Sequence, residues 1–245
     1  MHVLRARSLI NPLRFVVESA KHKVRYLPNG LDAEMCARPA VIPERDYKVL
    51  THCGDFYAMR HPAKLLESLM RLTAAGSVSA EHLCVQFIGE LDLNQRKGPF
   101  SGWNGCSREK VNMLLAVPWL HIVRERVARA VAHKAMAESD YSLLVDIEGS
   151  LSKYFHPVKI FDYISIGRPI LCFTEHGSPV DELLPITGIP YVTVYYTGND
   201  SESDRKVAAF FNLPNTPIPF SAQFEAERGG SALTSHLVSI YRDAQ

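Results

Sequence analysis

One stretch of the sequence places a charged pair at the start of a predicted helix, 156-HPVKIFDYISIGRPILCF-173. Pro157 suits a first helical turn, because its missing N–H would have no partner there. Lys159 falls in that turn, where a cation is unfavourable unless an anion lies nearby. Asp162 follows on the same side of the helix. A lysine for phosphate beside an acid for ribose hydroxyls is the chemistry that a sugar nucleotide needs. The alternative is a surface Lys–Asp pair worth about 0.3 kcal/mol.

A second candidate is 54-GDFYAMR-60, which directly follows an apolar run. Gly54 would let the backbone approach a ligand, and Arg60 could hold a diphosphate through two parallel hydrogen bonds. The helix predicted from His61 offers unpaired N–H groups and the positive end of its dipole to an anion. The alternative is that Gly54 only makes a tight turn and that Arg60 is solvated.

A third candidate is 117-VPWLH-121. Trp119 is predicted at the end of a buried strand, where it could stack on a base, and Leu120 could contact a base edge through its backbone. The alternative, which we favour for the side chain, is that Trp119 is a core or interface aromatic.

Several common cofactor and metal signatures are missing from the sequence. It has no GxGxxG, no GxxxxGK[ST] and no HExxH, and its ten histidines show no metal-ligand spacing. Asp146 and Glu148 end a predicted strand, where carboxylates can serve catalysis or cap a loop. We therefore expect neither a metal nor a bound cofactor.

Composition points to a cytoplasmic globular protein. The 27 basic and 26 acidic side chains give a net charge of +1, so the chain lacks the basic field of a nucleic-acid-binding protein. The five cysteines form no CxxC pair, which favours reduced thiols. The start, MHVLRARSLI, lacks the apolar core of a signal peptide, and no apolar run approaches ~18 residues.

The candidate residues must be positioned by short apolar runs that alternate with helix-period segments. Strands are predicted at 47–53, 83–89, 113–120, 141–147, 169–175 and 190–196, and helices at 61–76, 122–139, 158–167 and 178–187. Apolar strands alternating with helices predict a single doubly wound (Rossmann-like) α/β parallel sheet with helices on both faces. Ligands of such sheets bind at the carboxyl ends of the strands, which directs attention to the loops 54–60, 89–107, 118–122, 147–157 and 175–179.

The two ends of the chain differ from this central pattern. Residues 1–45 contain a PNG turn (28–30) and a Pro-spaced segment, and are predicted to be a linker or the remnant of an inter-domain connection. Residues 46–220 are predicted to form the Rossmann-like domain. Residues 221–245 are predicted to form a C-terminal helix.

Five stretches, taken in order, resemble the C-terminal half of GT-B fold glycosyltransferases of the retaining family 4, group 1 type. YLPNGLD (26–32) is similar to the Ile-Pro-Asn-Gly-Val-Asp entry to that half. THCGDFYAMRHPAKLLESLMRL (51–72) resembles its glycine turn, arginine and leucine-rich helix, and VQFIGE (85–90) its next strand. AESDYSLLVDI (137–147) resembles its Ala-Asp-Val-Leu-Leu strand. HPVKIFDYISIGRPIL (156–171) resembles its Pro-x-Lys-hydrophobic-x-Glu-Tyr-x-x-x-Gly-x-Pro-Val motif.

The resemblance, which extends over roughly 26–185, implies binding of the nucleotide part of a sugar donor. Gly54 and Arg60 match the diphosphate turn and its arginine, and Lys159 matches the phosphate-side lysine. Arg60 and Lys159 would then act catalytically, by stabilising the leaving diphosphate.

The nucleoside side of the resemblance is carried by four further positions. Asp162 matches the second glutamate of the Glu-x7-Glu motif, which holds ribose hydroxyls, and Pro157 opens its helix. The segment around Trp119 and Leu120 matches the base-contacting strand end. Tyr154 stands where the first glutamate of that motif is expected, so the carboxylate near the donor sugar is missing.

The resemblance predicts a donor-binding domain that transfers a hexosyl group, with retention, from a UDP-, GDP- or ADP-sugar to a saccharide or lipid acceptor. Residues 1–45 cannot form the acceptor domain, so a separate N-terminal subunit or domain is the expected partner, through which peripheral membrane association could arise. The alternative is a non-catalytic, degenerate binding or scaffold protein, which Tyr154 favours. A sugar-nucleotide epimerase is a third interpretation, against which the missing Gly-rich loop counts.

Overall fold

The computed structural model describes residues 2–4, 24–31, 41–57, 59–91, 103 and 105–243 of the 245-residue chain. Its strands are β1 (His2–Leu4), β2 (Val24–Tyr26), β3 (Lys48–Cys53), β4 (Leu83–Ile88), β5 (Leu120–Val123), β6 (Tyr141–Val145), β7 (Ile170–Thr174) and β8 (Tyr191–Tyr195). Its α-helices are α1 (Ala63–Ala74), α2 (Arg108–Leu115), α3 (Arg129–Ala137), α4 (Lys159–Ile166), α5 (Pro179–Thr187), α6 (Asp200–Phe210), α7 (Ala222–Arg228) and α8 (Gly230–Arg242). A 3₁₀ helix spans Ser150–Tyr154.

The central sheet has six parallel strands in the order β5-β4-β3-β6-β7-β8. The chain builds outward from β3 to β5 and then returns to place β6 on the other side of β3. This confirms the predicted Rossmann-like parallel sheet, and it creates a switch point between β3 and β6, where ligands of open α/β sheets bind. Strands β1 and β2 form a separate parallel pair.

Both faces of the sheet are covered by helices, as the apolar strands predict. On one face, α1, α2 and α6 contribute the buried side chains Leu65, Leu66, Leu69, Val111, Leu114, Val207 and Phe210. On the other face, α3, α4, α5 and α7 contribute Ala132, Met136, Ile160, Ile164, Val180, Leu183 and Phe224.

Four helices begin at a polar side chain that accepts a hydrogen bond from the first turn: Ser107, Ser178, Asn199 and Ser221. Helix α4 differs, because Val158 stands at its N-cap and no side chain caps its first turn. Within this end, the Ile160 and Phe161 N–H groups donate to the carbonyls of Pro157 and Val158 at 3.1 Å each, so backbone groups of the first turn satisfy them.

The predicted strand at 113–120 is wrong. Ser107 caps α2, and Val111 and Leu114, three residues apart, bury one face of that helix. The strand begins only at Leu120, after Pro118 has followed the end of the helix. The helix predicted over 122–139 is consequently shorter, because residues 122–123 belong to β5 and α3 begins at Arg129.

The predicted C-terminal helical segment is present as two helices, α7 and α8, that meet at Gly229. Gly30 and Leu31 lie against this junction, since the Leu31 N–H donates to the Arg228 carbonyl at 2.9 Å. Gly30 is required there, because a Cβ would lie 2.1 Å from the same carbonyl oxygen. The domain limits at 45/46 and 220/221 stay predictions; most of residues 1–45 lies outside the described residues.

Helix α6 was not predicted from the sequence. It is strongly polar, and its capping residue Asn199 is the main signal of its start. Across the residues that the structure describes, no helix combines the length and the apolar composition needed to cross a bilayer.

Candidate functional site

A cavity of about 1000 Å³ opens at the carboxyl edge of the sheet, at the switch point. One wall comes from β3 and the turn that follows it, and the other from β6, the 3₁₀ helix and the start of α4. Four predicted site residues line it together: Gly54, Arg60, Pro157 and Lys159. The other lining residues are His52, Asp55, Tyr57, Met59, Leu144, Val145, Ile147, Leu151, Phe155, His156 and Val158.

The turn after β3 is shaped by two glycines with positive φ. Gly54 has φ +151° and Gly89 has φ +143°. A Cβ at Gly89 would lie 2.3 Å from the Gly54 carbonyl oxygen, so the turns after β3 and β4 pack backbone against backbone. The Gly54 N–H donates to the Ile88 carbonyl at 2.8 Å, and Tyr57 and Arg60 exchange backbone hydrogen bonds. These three N–H groups therefore already have hydrogen-bond partners. What the turn provides for a ligand is mainly space, not free N–H donors.

The Arg60 guanidinium lies on the cavity wall, 5.3 Å from the centre of the Tyr57 ring. Its Nη2 is 3.9 Å from Asp146 Oδ1, and 18% of the side chain is exposed. Its Nε has no hydrogen-bond partner among the described residues. Arg60 is thus positioned by Tyr57 and Asp146 and keeps an N–H donor that no described residue uses. An arginine that binds an anion needs both a fixed position and free donors.

Lys159 lies at the start of α4, on the opposite wall of the cavity. Its Nζ is 3.7 Å from Asp162 Oδ2, and 41% of the side chain is exposed. The uncapped first turn of α4 adds the positive end of the helix dipole to the lysine charge. The two walls thus bring two cationic side chains, each near a carboxylate, to one cavity that Asp55 also lines, and cations so placed can hold a diphosphate.

Asp162 lies beside the cavity but is not among its lining residues. Its Oδ1 is 3.1 Å from His133 Nε2 and 3.4 Å from an Arg129 Nη, both on α3. With Lys159, these groups surround the carboxylate. The ribose-holding role of Asp162 stays a prediction, and it would require the carboxylate to share its oxygens with these partners.

The structure separates Trp119 and Leu120 from the cavity. Trp119 precedes β5, is 6% exposed and belongs to the core, and its carbonyl accepts a hydrogen bond from the Val85 N–H. Leu120 is the first residue of β5. The expectation that they end a strand is wrong, because the strand starts where it was expected to finish. The core interpretation of the Trp119 side chain is the one that the packing supports.

Asp146 and Glu148 follow β6. Asp146 is fully buried and accepts hydrogen bonds from the hydroxyls of Thr174 and Ser152 at 2.8 Å each. Burial raises its pKa, while these bonds act in the opposite direction. Glu148 lies 3.4 Å from His61 Nε2, and this imidazole lowers the pKa of Glu148. Asp146 thus anchors the loop beneath the cavity.

Two histidines in the cavity lining are absent from the residues chosen on sequence grounds. Burial lowers the pKa of His52 and of His156 to about 4, so both imidazoles are neutral near pH 7. His52 had one sequence signal, an imidazole within an apolar strand two residues before Gly54. Within the described ranges, no group of three His, Cys, Asp or Glu side chains is placed to hold a metal ion.

Neither protein-family models nor curated protein sequences give a match to this chain. Solved structures do. A glycosyltransferase from Rickettsia africae superposes with a TM-score of 0.59 at 11% identity, over 99% of this chain and 63% of that one. WaaG, a glycosyltransferase involved in lipopolysaccharide biosynthesis, gives 0.57 at 13% identity, over 99% and 60%. The N-terminal domain of Candida albicans trehalose-6-phosphate phosphatase gives 0.60 at 11% identity, over 91% and 50%.

These similarities establish the fold, a Rossmann-like α/β domain of the kind found in glycosyltransferases. The chain spans about half to two thirds of the length of the structures that it matches.

Proposed function

We propose that this domain binds a nucleotide-diphosphate sugar and is the donor-binding half of a GT-B, family 4 type hexosyltransferase that retains the anomeric configuration. The observation that carries the proposal is a pair of cations, Arg60 and Lys159, on opposite walls of one cavity at the switch point of the sheet. A diphosphate is the group that two such cations and a helix N-terminus fit best.

The same groups would assist the reaction. As the bond between the sugar and the diphosphate breaks, negative charge develops on the leaving diphosphate. Arg60, Lys159 and the positive end of α4 would stabilise that charge through fixed electrostatic contacts, with no metal required. Pro157 positions the start of α4, and Asp162 would accept hydrogen bonds from ribose hydroxyls.

The acceptor site belongs, in this proposal, to a separate N-terminal domain or subunit. The acceptor would be a saccharide or a lipid, and the partner could bring the cytoplasmic complex to a membrane surface. Turnover by this chain alone would then be weak or absent, because one wall of the reaction site comes from the partner.

A second candidate is a non-catalytic scaffold that kept the fold and lost the donor chemistry. The observation in its favour is Tyr154, which occupies the position of an expected carboxylate and lies outside the cavity lining. The contacts of Asp162 also favour the scaffold, because Arg129 and His133 on α3 already lie within hydrogen-bond distance of its carboxylate.

Calorimetric titration with UDP, GDP and ADP separates the two candidates. We expect at least one nucleotide to bind, and Lys159→Ala to weaken that binding by about tenfold or more, since a charge-assisted contact is lost. Asp162→Ala should weaken it as well, but should not weaken binding of inorganic pyrophosphate, because loss of the carboxylate beside Lys159 favours an anion there.

The matched control is Lys134→Ala, which removes an exposed lysine that also pairs with a nearby carboxylate, that of Glu138 at the end of its own helix. This variant should bind like the wild type. Absence of binding for all three nucleotides at millimolar concentration would overturn the donor-binding proposal and leave the scaffold.

A further inference from the structure

The His52 ring is fixed at the base of the cavity. Its Nδ1 lies 3.0 Å from the Leu143 carbonyl oxygen, and its ring stacks on Phe56 with centroids 4.3 Å apart. Phe87 meets the ring edge-on at 6.4 Å. Only 3% of the residue is exposed. The side chain is therefore held by contacts on several sides, as an oriented binding group must be.

These contacts decide which nitrogen carries the proton. A backbone carbonyl can only accept, so the hydrogen of the neutral imidazole is on Nδ1. Burial lowers the pKa of His52 to about 4; the hydrogen bond to Leu143 opposes this shift, Arg60 and Lys159 add to it, and Asp55 opposes it. Nε2 is then a bare acceptor, and it has no hydrogen-bond partner among the described residues. Such a buried, unpaired acceptor is uncommon in native proteins and calls for an explanation.

Gly54 leaves room beside this nitrogen, which is itself buried. A Cβ at Gly54 would lie 3.3 Å from His52 Nε2, and both residues line the cavity. The missing side chain keeps that space open. The Gly54 N–H already donates to the Ile88 carbonyl, so it is not free to donate to a ligand. What the glycine provides is space beside the imidazole.

We propose that His52 Nε2 accepts a hydrogen bond from a hydroxyl group of the bound ligand, and that residue 54 is glycine so that this hydroxyl can reach it. The inference rests on the proposed donor site and adds an orientation to it. A neutral lone pair attracts an O–H group and repels a phosphate oxygen. The diphosphate would therefore lie toward Lys159 and the start of α4, with a sugar or ribose hydroxyl over Gly54.

Two substitutions separate the two ring nitrogens. His52→Asn keeps an N–H donor close to the Nδ1 position, for the Leu143 carbonyl, and removes the acceptor. His52→Gln places an amide group close to the Nε2 position. We expect His52→Asn to raise the Kd for a sugar nucleotide (UDP-glucose, GDP-mannose or ADP-glucose, whichever binds) by about tenfold. His52→Gln should recover part of that loss.

The probes also identify the source of the hydroxyl. If His52→Asn weakens the sugar nucleotide but not the matching free nucleotide, the hydroxyl belongs to the donor sugar; if it weakens both, the hydroxyl belongs to the ribose. Inorganic pyrophosphate has no such hydroxyl, so its affinity should not change. Unchanged affinity for the sugar nucleotide, or an equal loss for pyrophosphate, would overturn the inference. Melting curves of each variant report whether it is folded.

A nitrogen-15 NMR titration of histidine-labelled protein tests the contact directly and does not depend on nucleotide binding. The Nε2 resonance of His52 should move upfield with the bound sugar nucleotide, and with free glucose or ribose at high concentration, but not with pyrophosphate. If no nucleotide binds, the proposed donor function fails while a shift with free sugar still supports the His52 contact. An Nε2 resonance that is unmoved by every hydroxyl-bearing probe would refute it.

Discussion

At the residue scale, a two-point ion pair links α1 to α6. Arg71 Nε and an Nη donate to the two carboxylate oxygens of Asp204 at 2.7 and 2.8 Å. The hydrogen bond from Arg71 lowers the pKa of Asp204. A lowered folded-state pKa means that the carboxylate stabilises the fold when ionised, above the unfolded pKa of about 4, and that this stabilisation is lost as the pH falls through the folded pKa.

Asp204→Asn should therefore reduce the free energy of unfolding by about 1 kcal/mol at pH 7, a value limited by solvent screening. The difference from the wild type should be smaller near pH ~2, below the unfolded pKa, because protonation of the carboxylate removes the ion pair. Urea unfolding at the two pH values measures this. Asp200→Asn is the control, because Asp200 is largely exposed and meets Arg71 only at 3.4 Å, so its effect should be smaller. An equal loss at both pH values would contradict the electrostatic explanation.

The sequence predicted individual residues unevenly, and the reason is physical. Gly54, Arg60, Pro157 and Lys159 line one cavity because turns after parallel strands meet at one edge of the sheet. His52 was missed because its role depends on contacts with residues distant in the sequence, such as the Leu143 carbonyl, which no local pattern reveals.

At the element scale, the end of α4 is fixed by one glycine. Gly167 has φ +77°, and a Cβ there would lie 2.3 Å from the Ile218 carbonyl oxygen. The Ile218 N–H donates to the Gly167 carbonyl at 2.9 Å, so the segment before α7 lies directly on this turn. The C-terminal end of the helix that carries Lys159 is therefore fixed by backbone contacts with the segment before α7.

Gly167→Ala should destabilise the domain more than Gly177→Ala does. Both glycines have positive φ, which costs alanine roughly 1 kcal/mol, but nothing lies within 4 Å of a Cβ at Gly177. The contact with Ile218 should add about 1–3 kcal/mol at Gly167, because backbone must move. Thermal or urea unfolding of both variants gives the difference. Equal losses would show that the close contact carries no cost.

Element prediction succeeded where periodicity and length agreed. The six-residue strands β3 and β4 and the twelve-residue helix α1 each gave an unambiguous pattern. The short apolar run at 113–117 did not, because a buried helix face and a strand look alike over so few residues. Because of that ambiguity, the sequence analysis placed Trp119 and Leu120 at the end of a strand, whereas the strand in the structure begins there.

At the scale of the whole molecule, the C-terminal segment contributes to the core through a single aromatic. Phe224 of α7 is fully buried, with its ring 5.5 Å from that of Phe220 and 6.4 Å from that of Phe161 on α4. Helix α8 is peripheral by comparison, since Ile240 is its one buried residue and Val238 and Tyr241 are exposed.

Phe224→Ala should therefore lower the free energy of unfolding by about 3–5 kcal/mol, as expected when a buried aromatic leaves a cavity. Val238→Ala on α8 should change it by less than about 0.5 kcal/mol. Denaturant unfolding curves of the two variants measure how far the folded unit extends beyond residue 220. A small loss for Phe224→Ala would place α7 outside the cooperative unit.

The switch point also sets how the two halves of the sheet hold together. Strand β3 shares six register pairs with β4 but only two with β6, Leu50–Tyr141 and Thr51–Ser142. The narrowest ladder of the sheet thus lies directly beneath the cavity, between parts of the chain about 90 residues apart. Arg60 belongs to the half before this seam and Lys159 to the half after it. A ligand that contacts both residues would connect the two halves of the sheet. Local separation of β3 from β6 should therefore become less frequent as the fraction of protein with bound ligand rises.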